Sequence, residues 1–310
     1  MASIPRVSAV ILNYNLADYT IACVRSLREV TYPSLDVLVL DNASTQGDVA
    51  RISAALPGVA VRSTDRNVGY TGGINAGVRW AMESSPDYVL VLNPDTEVQP
   101  DFLDHLVGAM EARPAAAVAC GTIYKSHLRD EAWYAGGRMI PWRGLAVHER
   151  KGERVQPAEL GAPRLVTFVT GCMALYRASA LPAIGPQDER FFLYLDDIEM
   201  SARIARTGYG LLYVPKSVVH HHVKGEEENP FKVYYSVRNR FLLISTAFSG
   251  LERAVASAYF ASVITAKMLV WALTNRPFFR AAAMGLADYA VGRFGEGRGL
   301  QSFHPRGGTR

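Results

Sequence analysis

Short apolar runs that each end in a cluster bearing Asn or Asp, separated by stretches with helical spacing, constrain this chain more than any other feature. Val7–Leu12 is a β-branched run opening into Asn13-Tyr14-Asn15, Asp36–Leu40 ends at Asp41-Asn42-Ala43-Ser44, and Tyr88–Leu92 ends at Asn93-Pro94-Asp95. Between them, Ile21, Val24 and Leu27 recur at helical spacing behind Asp18, a candidate cap. Asp48–Leu56 reads as a second helix, Val59–Arg62 as a brief strand, and Thr71–Glu83 as a helix that starts near two glycines. This alternation predicts a mostly parallel sheet covered on both faces. In such sheets ligands sit at the carboxyl ends of the strands, so the three polar clusters should converge on one crevice.

Composition sets the outer limits. At 310 residues, 49% hydrophobic and 20% charged, the chain is one large folded domain or a domain with an appendage, and wholesale disorder is excluded. The net charge of +4 divides unevenly: residues 1–231 hold 22 basic and 26 acidic side chains, whereas residues 232–310 hold 11 and 3. An acidic body without aromatic residues interleaved in a basic stripe argues against a nucleic-acid partner. Cys23, Cys120 and Cys172 are odd in number and far apart, which points away from a disulfide scaffold and toward a reducing, cytoplasmic compartment. The apolar run before Asn13 is far shorter than the core of a signal peptide, so export by that route is not expected.

Farther along, Ser126–Arg164 loses periodicity around Gly136-Gly137, Pro141, Gly144, Pro157 and Pro163, and reads as a long irregular excursion. Leu165–Tyr176 reads as a strand interrupted by Gly171, Asp196–Arg206 as a helix, and Leu211–Val214 and Val218–His222 as extended pieces. Residues 230–290 read as three helices, followed by a Gly/Arg-rich tail expected to be flexible. Within them, residues 254–275 carry one charge, Lys267, over about the length of a bilayer crossing. A buried helix, an interfacial helix and a true span compete here. Lys267 disfavours the span, leaving a helix on an anionic membrane surface or in a homo-oligomer contact as the expectation.

Each polar cluster has a plain reading beside a chemical one. Asn93-x-Asp95 could hold Mg²⁺ or Mn²⁺ through Asp95, or simply form an Asx turn. Asn67–Gly77, with glycines at 69, 72, 73 and 77, lets backbone approach a phosphate closely, or serves only tight helix–sheet packing; it matches neither a dinucleotide fingerprint nor a Walker A loop. Asp196 and Asp197 could cap a helix, which needs one carboxylate, leaving the other as a general base near the apolar wall of Phe191–Leu195. In an extended His220-His221-His222, alternate residues face opposite sides, so one His is a more natural ligand than three.

Taken together, VILNYN, LVLDNAS, NVGYTGGINAG, LVLNPD, FVTGCMALYR, FFLYLDDIEMSARIARTGY, YVPKSVVHH and YYSVRNR occur in the order of family 2 glycosyltransferases and most resemble their rhamnosyltransferase-type branch, over roughly residues 6–243. The resemblance implies a GT-A fold, an α/β domain of two abutting Rossmann-like halves over residues 1–243, followed by a helical extension over 244–291 and a basic tail over 292–310. It implies sugar transfer with inversion from a nucleoside diphosphate sugar, dTDP-rhamnose being favoured, to a polysaccharide or lipid-linked glycan. Asn13, Asn15, Asp41, Asn67, Gly69, Gly73, Asn75, Asn93 and Asp95 then match donor-binding positions. Asp95 and His221 match the ligands of Mn²⁺ or Mg²⁺, and Asp197 matches the base. Asn93 departs from the Asp-x-Asp pattern by being neutral. Two rivals are a non-catalytic sugar-nucleotide scaffold, which would be expected to lose the base or a cation ligand, and a sugar-nucleotide pyrophosphorylase, which would need a Gly-rich loop with Arg and Lys where NYNLADY stands.

Overall fold

The computed structural model describes residues 4–223 and 227–297. The first half alternates strictly: β1 (Val7–Asn13), α1 (Ala17–Arg28), β2 (Leu35–Asp41), α2 (Asp48–Ala55), β3 (Ala60–Ser63), α3 (Gly69–Met82) and β4 (Tyr88–Leu92). The second half runs β5 (Thr96–Val98), α4 (Phe102–Glu111), β6 (Ala116–Lys125), β7 (Leu128–Tyr134), β8 (Gly137–Ile140), β9 (Leu145–His148), β10 (Arg164–Val166), β11 (Met173–Arg177), α5 (Leu181–Ile184), α6 (Asp196–Arg206) and β12 (Gly210–His221). Helices α7 (Pro230–Ala247), α8 (Gly250–Thr274) and α9 (Arg276–Ala290) follow.

One sheet organises both halves, in the order β10-β12-β6-β11-β4-β1-β2-β3, with β5 and β7 added beside β12 and β6. The β4-β1-β2-β3 block is parallel throughout, and β6 and β12 are parallel to each other. Antiparallel β11 joins the two blocks. Every residue of β1 and β4 is buried, as strands covered on both faces must be. Helix α3 lies close on this sheet because Gly73 and Gly77 leave no Cβ to meet Leu12 and Val10.

Several boundaries differ from the sequence expectation. Helix α3 starts two residues early, at Gly69. Asp18 does not cap α1; it lies in the first turn and pairs with Arg51 at 2.5 Å. The supposedly irregular 126–164 stretch contains β7, paired antiparallel with β6, and a β8–β9 hairpin turned by Pro141–Gly144, with Gly144 at φ 58°. Its strands are short and half-exposed, so their alternation is diluted. Leu165–Tyr176 is two strands, β10 on β12 and β11 on β4, while the two pieces at 211–222 are one strand, β12, with an irregularity between Val214 and Val218.

The boundary expected at 243 falls inside α7. Leu242 and Leu243 belong to the main core, while Ile244 and Phe248 pack with Phe260, Ile264, Ala281 and Ala282 in a second cluster. Helix α8 is not a buried helix: only Ala256, Phe260 and Ile264 are covered, and Leu251, Leu269 and Leu273 are 80%, 68% and 90% exposed. Residues 292–297 are tied to the body, since Gly295 N donates to Arg190 O at 3.0 Å and Gly297 N to Tyr235 Oη at 2.9 Å. The remainder of the expected flexible tail, 298–310, lies outside the described residues.

At the carboxyl ends of β1 and β2, paired at Asn13 and Asp41, a buried polar knot closes the crevice floor. Asn13 Nδ2 donates to Asp41 Oδ1 (2.7 Å), Asp48 Oδ2 (2.9 Å) and Ser44 Oγ (3.1 Å), and Asn13 Oδ1 accepts from Thr20 Oγ1 at 2.7 Å. Asp48 Oδ2 also takes the Ala17 amide at 3.1 Å, supplying from α2 the cap that α1 lacks. Asn13→Ala would leave two buried carboxylates and a hydroxyl without their shared partner. The expected cost is about 3 kcal/mol in urea unfolding; a loss below about 1 kcal/mol would show that the knot does not hold the strand ends.

Candidate active site

Strand pairing decides which polar residues meet. Beyond Asn93 and Pro94 the chain turns into β5, which pairs antiparallel with the end of β12 in the register Thr96 opposite His221. His222 N donates to Asp95 O at 2.8 Å, and His221 Nε2 lies 3.2 Å from Asp95 Oδ1. His220 and His222 point the other way, to Gln99 (3.1 Å) and Glu97 (2.8 Å), as an extended backbone requires. His221 is buried edge-on to Trp133, and its Nδ1 has no partner. Burial opposes charge on this ring, but the Cys172 sulfur and the Asp95 carboxylate outweigh it and raise the pKa to about 10. Among the described residues no group of three or more His, Cys, Asp or Glu side chains is placed to hold a metal. Asp95 and His221 are thus one oxygen and one nitrogen donor set side by side.

Around them is a cavity of about 510 Å³. Its polar lining includes Tyr70, Asn93, Gly171, Asp196, Asp197 and His221, and its walls are largely apolar, with Trp133, Leu145 and His148 from the 126–164 segment and Tyr194 from the loop before α6. Asp197 Oδ2 accepts from Gly171 N at 3.2 Å and its Oδ1 from Ile198 N at 2.9 Å. Asp196 is more deeply buried, and its Oδ2 has no partner. Burial, then the neighbouring charge of Asp197, raises the Asp196 pKa; burial also raises Asp197, but the two amides favour its ionised form. Of the pair, Asp197 is the one whose carboxylate is held by two main-chain amides. Neither side chain caps α6, whose N-cap is Leu195.

The turn that delivers this pair is costly. Phe192, Tyr194 and Leu195 hold φ values of 64°, 69° and 67°, left-handed backbone that costs bulky residues about 1–3 kcal/mol each. Tyr70, at the start of α3, reaches across with its hydroxyl, donating to Gly171 O at 2.9 Å and Asn93 Oδ1 at 3.3 Å. Burial, then the Asp196 charge, pushes its pKa well up, so it stays a neutral donor.

Of the residues singled out from sequence, Asn93, Asp197 and His221 line the cavity, and Asp95 stands beside His221. Asn13 and Asp41 hydrogen-bond within the polar knot at the strand ends. Asn15 accepts from Thr45 N at 2.9 Å on the crevice rim. Asn67 Oδ1 accepts from Gly69 N (2.8 Å) and from Asn42 Nδ2 (3.0 Å), shaping the entry to α3. At φ 78°, Gly69 passes against Phe192, where a Cβ would lie 2.5 Å from its ring. Asn75 fastens α3 to Gln187 and Glu189. Tyr70, Asn42 and Trp133 were not singled out. The first two stand inside motifs read for their glycines and their Asp, and Trp133 lies where periodicity failed.

Known proteins carry the same pattern. The family described as Glycosyl transferase family 2 matches residues 8–185. The chain is 29% identical over 225 residues to an N-acetylglucosaminyl-diphospho-decaprenol L-rhamnosyltransferase of Mycobacterium tuberculosis, covering 64% of this chain and 69% of the relative. It is 22% identical over 304 residues to the dTDP-rhamnosyl transferase RfbF of Shigella flexneri, covering 94% and 97%. Among solved structures, a mannosyltransferase of Pyrobaculum calidifontis in complex with GDP-Man and Mn²⁺ superposes with a TM-score of 0.56 at 17% identity, covering 94% of this chain and 88% of that one. With the family pattern running through more than half of its length and the architecture shared with such enzymes, this chain belongs to glycosyltransferase family 2, has the GT-A fold, and is a glycosyltransferase.

Proposed function

We propose that this glycosyltransferase moves a sugar, with inversion, from a nucleoside diphosphate sugar to a hydroxyl of a glycan acceptor, using Asp197 as the base. The observation that carries this reading is a cavity-lining carboxylate, Asp197, held by two main-chain amides. A hydroxyl is a weak nucleophile, and Asp197 takes its proton as it attacks the anomeric carbon opposite the leaving diphosphate. One carboxylate suffices for such a displacement, and no second nucleophile is needed.

Asp95 and His221 fit a divalent cation, Mn²⁺ or Mg²⁺, because a carboxylate and an imidazole 3.2 Å apart would supply two of its ligands, the cation taking the place of the ring proton, and would leave the others to phosphate and water. When bound, such an ion offsets the negative charge that develops on the departing diphosphate. Asn93, uncharged and within reach of Tyr70, lines the same cavity as a hydrogen-bonding group. The names of the M. tuberculosis and S. flexneri relatives support dTDP-rhamnose as the donor and a polyprenyl-diphosphate-linked glycan as the acceptor.

An acceptor of that kind is carried on a membrane. Helix α8 is the one helix among the described residues long and apolar enough to cross a bilayer, yet only 17% of its most apolar window is covered. Val255, Leu269, Val270 and Leu273 stand on its outer side, with Arg253, Lys267, Arg276 and Arg280 on or beside it. Our reading is that α8 lies along an anionic cytoplasmic surface, its apolar side in the headgroup boundary and its basic residues against lipid phosphates.

Asp197→Asn should lower turnover of dTDP-rhamnose by about 10²–10⁴-fold while the thermal shift given by donor plus Mn²⁺ persists; near wild-type turnover would remove Asp197 from the base role. The acid limb of kcat/KM should lie above the ordinary aspartate value of 3.8, because burial raises the Asp197 pKa and only its ionised form accepts the proton. For Asp95→Ala, the Mn²⁺-dependent part of donor binding should vanish, and equal affinity with and without EDTA in the wild type would refute a cation site. Leu269→Glu with Leu273→Glu should abolish sedimentation with phosphatidylglycerol vesicles at unchanged melting temperature. Sedimentation equal to wild type would place the lipid contact elsewhere.

A further inference from the structure

Arg238 and Asn239, adjacent on α7, are both fully buried, and neither touches the cavity. Arg238 is the largest fully buried side chain, and none of its hydrogen-bond partners among the described residues is a carboxylate. Its guanidinium lies over the ring of Tyr235 at 4.8 Å and donates to Phe191 O (3.0 Å), Arg190 O (3.3 Å) and Gly295 O (2.6 Å). Through Nε it also fixes Asn239 Oδ1 at 2.9 Å, which turns the amide nitrogen of Asn239 toward the loop. That nitrogen donates to Phe191 O (2.9 Å), Leu193 O (2.7 Å) and Tyr194 O (3.1 Å). The remaining carbonyl, Phe192 O, accepts from Tyr70 N at 2.6 Å at the start of α3.

Thus the four consecutive carbonyls from Phe191 to Tyr194, before Asp196-Asp197, are all held, three of them by this one pair. A turn of bulky residues at positive φ persists only where its surroundings over-determine it. We propose that Arg238 and Asn239 are positioning residues for catalysis: they clamp the 191–195 turn in the conformation that sets Asp197 against the Gly171 amide. The pair does no chemistry itself. Its planar guanidinium fork and its amide together meet carbonyls that fan outward from a tight turn, a geometry that a lysine ammonium does not reproduce.

The proposal rests on Asp197 acting as the base, and its test separates the two ideas. Asn239→Ala, the milder Asn239→Ser, and Arg238→Lys would be compared with the wild type and with Leu56→Ala, a buried truncation at the opposite edge of the sheet. In hydrogen exchange of the free proteins, the three α7 variants should lose at least tenfold protection across 191–198 and at Gly171, while Leu56→Ala keeps it. In release of dTDP from dTDP-rhamnose with Mn²⁺, the same variants should lose at least tenfold in kcat with donor KM within about threefold of wild type. Undiminished protection of 191–198 in Asn239→Ser and Arg238→Lys would overturn the clamp. So would an equal loss of kcat in a Leu56→Ala protein of matched melting temperature. A wild type that releases no dTDP would count against the rhamnosyl donor alone, because the exchange data decide the clamp without turnover.

Discussion

The antiparallel pairing of β4 with β11 is the constraint on which the site depends. In a parallel sheet, only the carboxyl ends of the strands open on the crevice. A strand running the other way brings its amino end to that same edge, so the residues just before β11 arrive beside those just after β4. Asn93 N donates to Cys172 O at 2.9 Å, and Gly171 thereby comes within reach of both Tyr70 and Asp197. The block from β1 to β4 and the block that carries α6 and β12 are joined through this one strand. Without this pairing, Gly171 and the Asp197 carboxylate it holds would lose their place beside Asn93 and Tyr70.

Much of the first half was legible because its information is local. β-branched runs, helical spacing and strand-end polar residues lie within a few positions of one another, and β1, β2, α2, β4 and α6 came out within a residue or two of where they are. The histidine cluster was also readable, since the alternation of an extended backbone alone separates His221 from its neighbours. The site residues were less separable. Asn13 and Asp41 carry the right chemistry at the strand ends, and both also make several hydrogen bonds within the knot that ties β1 and β2 to α1 and α2. Nothing in a linear sequence distinguishes an Asn that faces a ligand from one that ties two strands to two helices.

The 126–164 segment failed for another reason. Its strands are short and half-exposed, and their partners are set by contacts with β6 and with each other, so the periodicity that marks covered strands is absent. Trp133 and His148, which form one wall of the cavity, were hidden with it. The register of β5 on β12 was likewise invisible, although it alone brings Asp95 to His221 across more than a hundred residues of chain. Long-range pairing, rather than propensity, built the parts of the site that could not be read.

The family pattern ends at residue 185, before Asp197, His221 and the α7 pair, and the bonds that back Arg238 reach as far as Gly295. This layout bears on how the protein is made. As the chain emerges during synthesis, the parallel block can collect its strands early, while the turn before α6 waits for α7 and then for the segment after α9. A partly made chain can therefore own the strand-end crevice before the turn that carries Asp197 is held. The bonds that hold this turn are complete only once nearly the whole described chain is in place.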